Sequence, residues 1–137
     1  MSEVSIDSRL TEGAVHVGDL ALSRVFFVDN ALFPWVVLVP LRPALVELLD
    51  LTAQERHQLM DEVATVSTAF RQLFAPDKLN VATLGNQVSQ LHVHVIARFR
   101  TDSAWPDPVW GRGSAPYEPG VLAAHSHALR QLLGFLR

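Results

Sequence analysis

The stretch Gln90-Leu91-His92-Val93-His94-Val95-Ile96 alternates polar and apolar side chains. Such alternation is typical of a β-strand, in which every second side chain points to the same face. Gln90, His92 and His94 are therefore predicted to share one face of a sheet. A packed core rarely needs two adjacent imidazoles, whose charge changes near neutral pH. The row indicates a reactive or ligand-binding surface, although the solvated face of an edge strand would show the same pattern.

The composition predicts one folded domain over residues 1–137. Of the 137 residues, 49% are hydrophobic and 18% are charged, which are the proportions of a compact globule. The formal net charge of -3 provides no positive field that would attract a polynucleotide, whereas a single nucleotide in a local pocket stays possible. The chain has no cysteine, which excludes disulfides, thiolate catalysis and Cys-ligated zinc.

Residues 1–10 lack the basic start and the apolar centre of a secretory signal. No apolar run approaches the roughly 20 residues that a membrane-spanning helix needs. We therefore expect a cytoplasmic protein without a membrane partner.

Three strands are predicted in the first 40 residues. Residues 14–19 and 22–29 are apolar segments separated by a polar break, as in a hairpin, and Asp29-Asn30 marks a turn. Residues 35–39 are continuously apolar and bounded by prolines, which predicts a buried central strand.

A long helix is predicted between Thr52 and Pro76. Thr52 and Glu55 have the spacing of a capping box, in which each side chain binds the other residue's backbone amide. Apolar residues then recur at spacings of three and four, and proline ends the pattern. The stripe consists of Leu59, Val63, Val66, Phe70 and Leu73.

The histidine strand is predicted to pair with the segment before it. Residues 78–84 predict a strand, and the polar loop 85–89 leads into the stretch from Gln90, which should end near Arg98 or Arg100. Because a short Gly-Asn loop is typical of an antiparallel connection, the loop and the histidines should be neighbours.

The domain core is thus expected at about 14–100, followed by a second part over 101–137. Residues 101–119 are rich in Pro, Gly and Trp, and we expect them to be irregular but packed against the body or a partner subunit. Residues 119–137 predict a C-terminal helix. His125 and His127 would lie about 200° apart on it and are interpreted as surface residues.

Three chemistries use two histidines on one strand. A metal site needs a third ligand, and neither Asp nor Glu occurs between Lys78 and Arg100 to supply it. A general acid and base pair needs only the two imidazoles. In nucleophilic catalysis one imidazole attacks phosphorus while its neighbours hold the transferred group.

The order of these features resembles the histidine triad family of nucleotide hydrolases and transferases. The resemblance covers about Val15 to Arg98 and rests on the turn, the Pro-bounded strand, the long helix, Asn80, the Gly85-Asn86 loop and the histidine strand. It implies a homodimeric α+β fold with an antiparallel sheet of about five strands, one long helix and a C-terminal helix. It also implies cleavage at the α-phosphate of a nucleoside phosphoramidate or dinucleoside polyphosphate, without metal or cofactor.

The resemblance assigns roles to individual residues. His92 matches the histidine that attacks phosphorus, with its second ring nitrogen donating to the backbone carbonyl of Gln90. An unperturbed imidazole with a pKa of about 6.5 is roughly three-quarters neutral at pH 7, so its lone pair is available. His94 would stabilise the phosphate or the leaving group. The substrate-binding residues would be Asp29 for the ribose hydroxyls and Asn86, Gln87 and Ser89 for the phosphate, although Asn86, Ser89 and Asp29 are also ordinary residues of turns and strand ends.

The chain departs from the family pattern at two positions. Gln90 replaces the first histidine of the motif, and it can take part in positioning but cannot act as an acid. Pro34-Trp35 stands where many members have Gly-His, and Trp is not expected to relay the same hydrogen bonds. Three classes of function therefore stay open: a nucleotide phosphohydrolase, a nucleotide-binding module without turnover, and a metalloenzyme.

Overall fold

The computed structural model describes residues 4–136 and contains one five-stranded antiparallel sheet. Its strands are β1 (Ala14–Asp19), β2 (Ser23–Val28), β3 (Trp35–Pro40), β4 (Lys78–Ala82) and β5 (Val93–Arg98). They lie in the order β1-β2-β3-β5-β4, so β4 and β1 form the edges. The predicted α+β fold with five antiparallel strands is confirmed.

Within the described part of the chain, three α-helices accompany the sheet: α1 (Ser8–Thr11), α2 (Ala53–Phe74) and α3 (Pro119–Leu132). The predicted capping box begins α2, since the Thr52 hydroxyl accepts from the Glu55 amide at 3.1 Å and the Glu55 carboxylate accepts from the Thr52 amide at 2.9 Å. Sequence reasoning missed α1 and a 3₁₀ turn at Leu48–Asp50. The helix α3 is shorter than predicted, because the backbone turns at Gly134, whose φ is +80°.

The apolar stripe of α2 packs on one face of the sheet. Leu59, Val63, Val66 and Phe70 are buried there against the β5 residues Val93, Val95 and Ala97 and their neighbours on β2 and β3. Each fully buried side chain of this size contributes about 1.5–3 kcal/mol to folding. The alternate residues of β5, among them His94 and Ile96, consequently face the other side of the sheet.

Residues 104–110 cover part of that second face. Ala104 and Val109 are buried against Phe33 and Ile96, with Trp35 and Trp110 at the border of the cluster. The aromatic segment thus packs against the body of its own chain.

Two details differ from the sequence expectations. The strand β5 begins at Val93, so Gln90 and His92 precede it and do not extend a regular strand. His125 is half-buried, because its ring packs against Phe74 and Tyr117, and only His127 is exposed. Within residues 4–136, no helix has the length and apolar character needed to cross a membrane.

Candidate active site

A cavity of about 420 Å³ opens beside the two motif histidines. Such a volume suits a small ligand, for which pockets start at about 300 Å³. The lining residues are all uncharged apart from the two titratable imidazoles. They are Leu84, Gly85, Asn86, Gln87, Val88, His92, His94, Trp110 and Gly111.

His92 lines this cavity with only 5% of its surface exposed. Its Nδ1 is 2.6 Å from the backbone carbonyl oxygen of Gln90. Because a carbonyl oxygen can only accept, Nδ1 carries a proton and donates it to this bond. In the neutral ring the other nitrogen, Nε2, therefore keeps its lone pair, which is the state a nucleophile requires.

His94 lies next to His92, with a ring centroid separation of 4.8 Å. The indole N–H of Trp35 donates to its Nδ1 at 3.0 Å. Burial, and then the charge of His92, lower the pKa of His94 to about 4. His94 is therefore neutral at pH 7.

Trp110 packs edge-on against His94, with the ring centroids 5.2 Å apart. It also packs edge-on against Trp35 at 5.6 Å. The irregular segment thus supplies an aromatic residue to the cavity, and Trp110 was not among the predicted site residues. The Pro-, Gly- and Trp-rich composition of this segment was the available signal, but its position over the histidines depends on long-range packing.

Hydrogen bonds from two other parts of the chain fix the segment that precedes β5. The Thr83 hydroxyl donates to the His92 carbonyl at 2.7 Å, and Arg9 donates to the Gln87 carbonyl at 3.1 Å. Gly85 has a φ of +81°, a conformation that glycine adopts at little cost. The side chains of Asn86 and Gln87 are exposed at the cavity wall, where they are available to a ligand.

Three further predicted residues lie outside the cavity lining. The Gln90 side chain accepts from the Asp7 amide at 2.8 Å and donates to the Ser5 carbonyl at 3.0 Å. Gln90 and Ser89 line a separate surface depression beside the N-terminal segment. The Asp29 carboxylate accepts from the Tyr117 amide at 2.8 Å. Of the predicted residues, His92, His94, Asn86 and Gln87 are the ones that line the cavity together.

A family model of the HIT domain matches residues 11–101. The chain belongs to the HIT domain family. Among solved structures, the chain is similar to a histidine triad protein from Bradyrhizobium japonicum, with 44% identity, 96% of this chain and 99% of that chain covered, and a TM-score of 0.93. A search of curated proteins finds no match.

Two further histidine triad proteins of known structure are similar to this HIT protein. One is from Marinobacter aquaeolei VT8, with 35% identity, 99% and 100% coverage and a TM-score of 0.92. The other is from Sinorhizobium meliloti 1021, with 32% identity, 93% and 96% coverage and a TM-score of 0.90. These matches agree with a nucleotide-binding or hydrolase family member.

The two departures from the HIT motif have visible structural consequences. Gln90 keeps its backbone carbonyl on His92, while its side chain is used to bind the N-terminal segment. Trp35 donates one hydrogen bond to the motif, through His94, but an indole N–H cannot accept, so Trp35 does not relay hydrogen bonds as a histidine can.

Proposed function

We propose that this HIT protein is a nucleotide phosphohydrolase or nucleotidyl transferase. It cleaves at the α-phosphate of a nucleoside phosphoramidate or dinucleoside polyphosphate through a nucleotidyl-His92 intermediate. The observation that carries the proposal is the fixed tautomer of His92, whose Nδ1–H is bound to the Gln90 carbonyl at 2.6 Å beside a cavity of about 420 Å³.

The chemistry proceeds in two displacements. The lone pair of His92 Nε2 forms a bond to the α-phosphorus while the bond to the leaving group breaks, and the leaving group takes the electron pair and a proton from solvent. Attack makes the imidazole cationic, and the Gln90 carbonyl stabilises that charge through Nδ1–H. Water then attacks the phosphorus, the bond to Nε2 breaks, and the nucleoside monophosphate leaves. The proton of the water passes to solvent.

The remaining site residues bind and orient the substrate in this proposal. His94 donates to a non-bridging oxygen or to the leaving group. Asn86 and Gln87 donate amide hydrogen bonds to the phosphate from the cavity wall. Asp29 contacts the ribose and Ser89 the phosphate only if the bound substrate extends beyond the present cavity lining. Gln90 acts through its backbone.

The test is a covalent adduct at one residue. After incubation with an adenosine phosphoramidate and a quench in alkaline denaturant, which preserves the acid-labile P–N bond, mass spectrometry of peptides should locate a nucleotidyl group on His92. His92→Ala should lose the adduct and lower the release of AMP at least about a thousandfold, as removal of a nucleophile does. His127→Ala, which changes an exposed histidine on α3, is the matched control. Unchanged turnover in the His92 variant would contradict the proposal.

A nucleotide-binding module without turnover is the second candidate. It is favoured by the cavity lining, which, among the residues described, contains no carboxylic acid and in which His94 is neutral at pH 7. Calorimetric binding of AMP or GMP together with no product over hours would support it. For the metalloenzyme, no group of three His, Cys, Asp or Glu side chains suited to a metal occurs within residues 4–136.

We also propose that the protein is a cytoplasmic homodimer. The strand β4 is an edge of the sheet, and Val81 on it and Leu84 just after it are about half exposed. Leu48 and Leu49 add exposed apolar surface beside Leu84. Unpaired edge strands with apolar side chains favour association. Analytical ultracentrifugation measures the mass in solution.

A further inference from the structure

We infer that Trp35 is a positioning residue that holds His94 in its neutral form with the proton on Nε2, directed away from β3. The inference rests on the proposed function for its catalytic meaning, because the Nε2–H is the group that would bind phosphate. The hydrogen bond itself does not depend on that function.

The contact follows from the register of two central strands. Val37 of β3 lies opposite His94 of β5, so Trp35, two residues earlier, is a diagonal neighbour of His94 on the same face. The indole N–H reaches His94 Nδ1 at 3.0 Å. An indole nitrogen can only donate, so Nδ1 must accept and carries no proton. A neutral ring has one proton, which must then be on Nε2.

The surroundings of His94 reinforce this state. Its neighbours from the adjoining elements are Val37 on β3, Ala82 on β4 and Trp110 in the aromatic segment, and none of these side chains titrates. Among the described residues, the titratable group that faces it is His92 on its own segment. Only 8% of His94 is exposed. A proton added at Nδ1 would have to break the bond to Trp35 and introduce a charge beside His92.

The two histidines consequently have opposite tautomers and different chemical roles. His92 has its proton on Nδ1 and a lone pair on Nε2, whereas His94 has the opposite arrangement. One ring can attack phosphorus, and the other can donate a hydrogen bond to it. The backbone of Gln90 sets the first tautomer, and the side chain of Trp35 sets the second.

The tautomer can be measured directly by ¹⁵N NMR of histidine-labelled protein at pH 7. In the wild type, Nδ1 of His94 should give a signal of the unprotonated type and Nε2 one of the protonated type. In Trp35→Phe the two signals should move towards each other, because the second tautomer becomes populated. The pH midpoint of His94 should rise by about one unit, the effect of one lost hydrogen bond.

Two comparisons separate the hydrogen bond from packing. Replacing Trp35 by 3-benzothienylalanine puts sulfur in place of the ring N–H at nearly constant shape, and should reproduce the shifts of Trp35→Phe. In Trp110→Phe the tautomer should stay as in the wild type, since Trp110 contacts the His94 ring but, within residues 4–136, shares no hydrogen bond with it. A protonated Nδ1 in the wild type, or unchanged signals in both Trp35 variants, would overturn the inference.

Kinetics then connect the tautomer to the reaction. With an adenosine phosphoramidate, Trp35→Phe should lower kcat about fivefold, as expected for partial loss of one donor, while the adduct on His92 still forms. Unchanged kcat would overturn the catalytic part of the inference. If the wild type shows the expected NMR signals but no adduct, the proposed function fails while the role of Trp35 in fixing the tautomer stands.

Discussion

The two ends of β5 use polar side chains in opposite ways. At the C-terminal end, Arg98 is 2% exposed, and its guanidinium donates to Asp102, to the Asn80 side chain and to the Asp107 carbonyl at 2.8–3.2 Å. At the N-terminal end, His92 and His94 each use one ring nitrogen in a bond to the protein. The guanidinium, with hydrogen bonds from all three of its nitrogens, stabilises the fold. Each imidazole, with one nitrogen bound to the described part of the protein and one not, keeps an atom that can react.

The Arg98 end anchors the segment that covers the site. Burial would raise the pKa of Asp102, but hydrogen bonds from Arg98 and from the amides of Phe99, Trp105 and Ala104 outweigh it and lower that pKa to about 2. The guanidinium also contacts the Phe33 and Trp105 rings, at 5.7 and 5.8 Å. These contacts fix residues 102–107. Trp110, three residues further along the chain, packs against His94.

Replacement of Arg98 should reduce the stability of the protein most. Arg98→Met should lower the free energy of unfolding by about 3–5 kcal/mol, because it leaves the Asp102 carboxylate buried without its partner. Urea denaturation measures the loss. Arg112→Met is the control, since Arg112 pairs with Asp107 at the exposed surface, and should change stability by less than about 1 kcal/mol. Equal losses in the two variants would contradict the comparison.

Protonation of His94 should reduce stability by a smaller amount. His94 has a pKa of about 4 in the folded protein against 6.5 as a free side chain. Between these values the unfolded chain binds a proton that the folded chain does not, so stability should fall as pH falls, by about 3 kcal/mol in total. Denaturation from pH 7 to 4 should therefore show a steeper loss for the wild type than for His94→Asn.

The exposed His57 provides the matched control for this titration. His57→Asn should keep the pH dependence of the wild type. If His94→Asn and His57→Asn have the same slope, burial of His94 does not govern stability in this range.

The smallest effect is expected at Gln90, which joins the histidine end to the N-terminal segment. Gln90→Ala removes the hydrogen bonds to Ser5 and Asp7, and should lower stability by about 1 kcal/mol. AMP release should slow less than about tenfold, because the backbone carbonyl that binds His92 is retained. Gln54→Ala, on the exposed face of α2, should alter neither quantity. Loss of activity as large as in His92→Ala would show that the Gln90 side chain acts in the reaction.

The sequence predicted those parts of the fold that depend on local signals. Thr52 and Glu55 identified the start of α2, and Pro34 marked the start of β3, because capping and proline act over a few residues. The alternation around His92 and His94 predicted that the two imidazoles lie side by side, as they do. The start of β5 at Val93 was missed, because the pairing of β3 with β5 begins at Val93 and not at Gln90.

The unpredicted parts depend on residues far apart in sequence. Gln90 contacts Ser5 and Asp7, and Trp35 contacts His94 from 59 residues away. The position of Trp110 over the cavity depends on the Arg98 contacts, which a composition rich in Pro and Gly does not reveal. Whether Asp29, Ser89 and Gln90 touch substrate stays a prediction.

The hydrogen bonds that both Nδ1 atoms make to the protein restrict proton transfer through the two rings. A relay through an imidazole needs one nitrogen to receive a proton while the other releases one. Here both Nδ1 atoms are engaged with groups that neither supply nor remove a proton, the Gln90 carbonyl and the Trp35 indole. Neither ring can conduct protons into the sheet. Every proton that enters or leaves the proposed reaction must therefore travel through the mouth of the cavity, in exchange with bulk water.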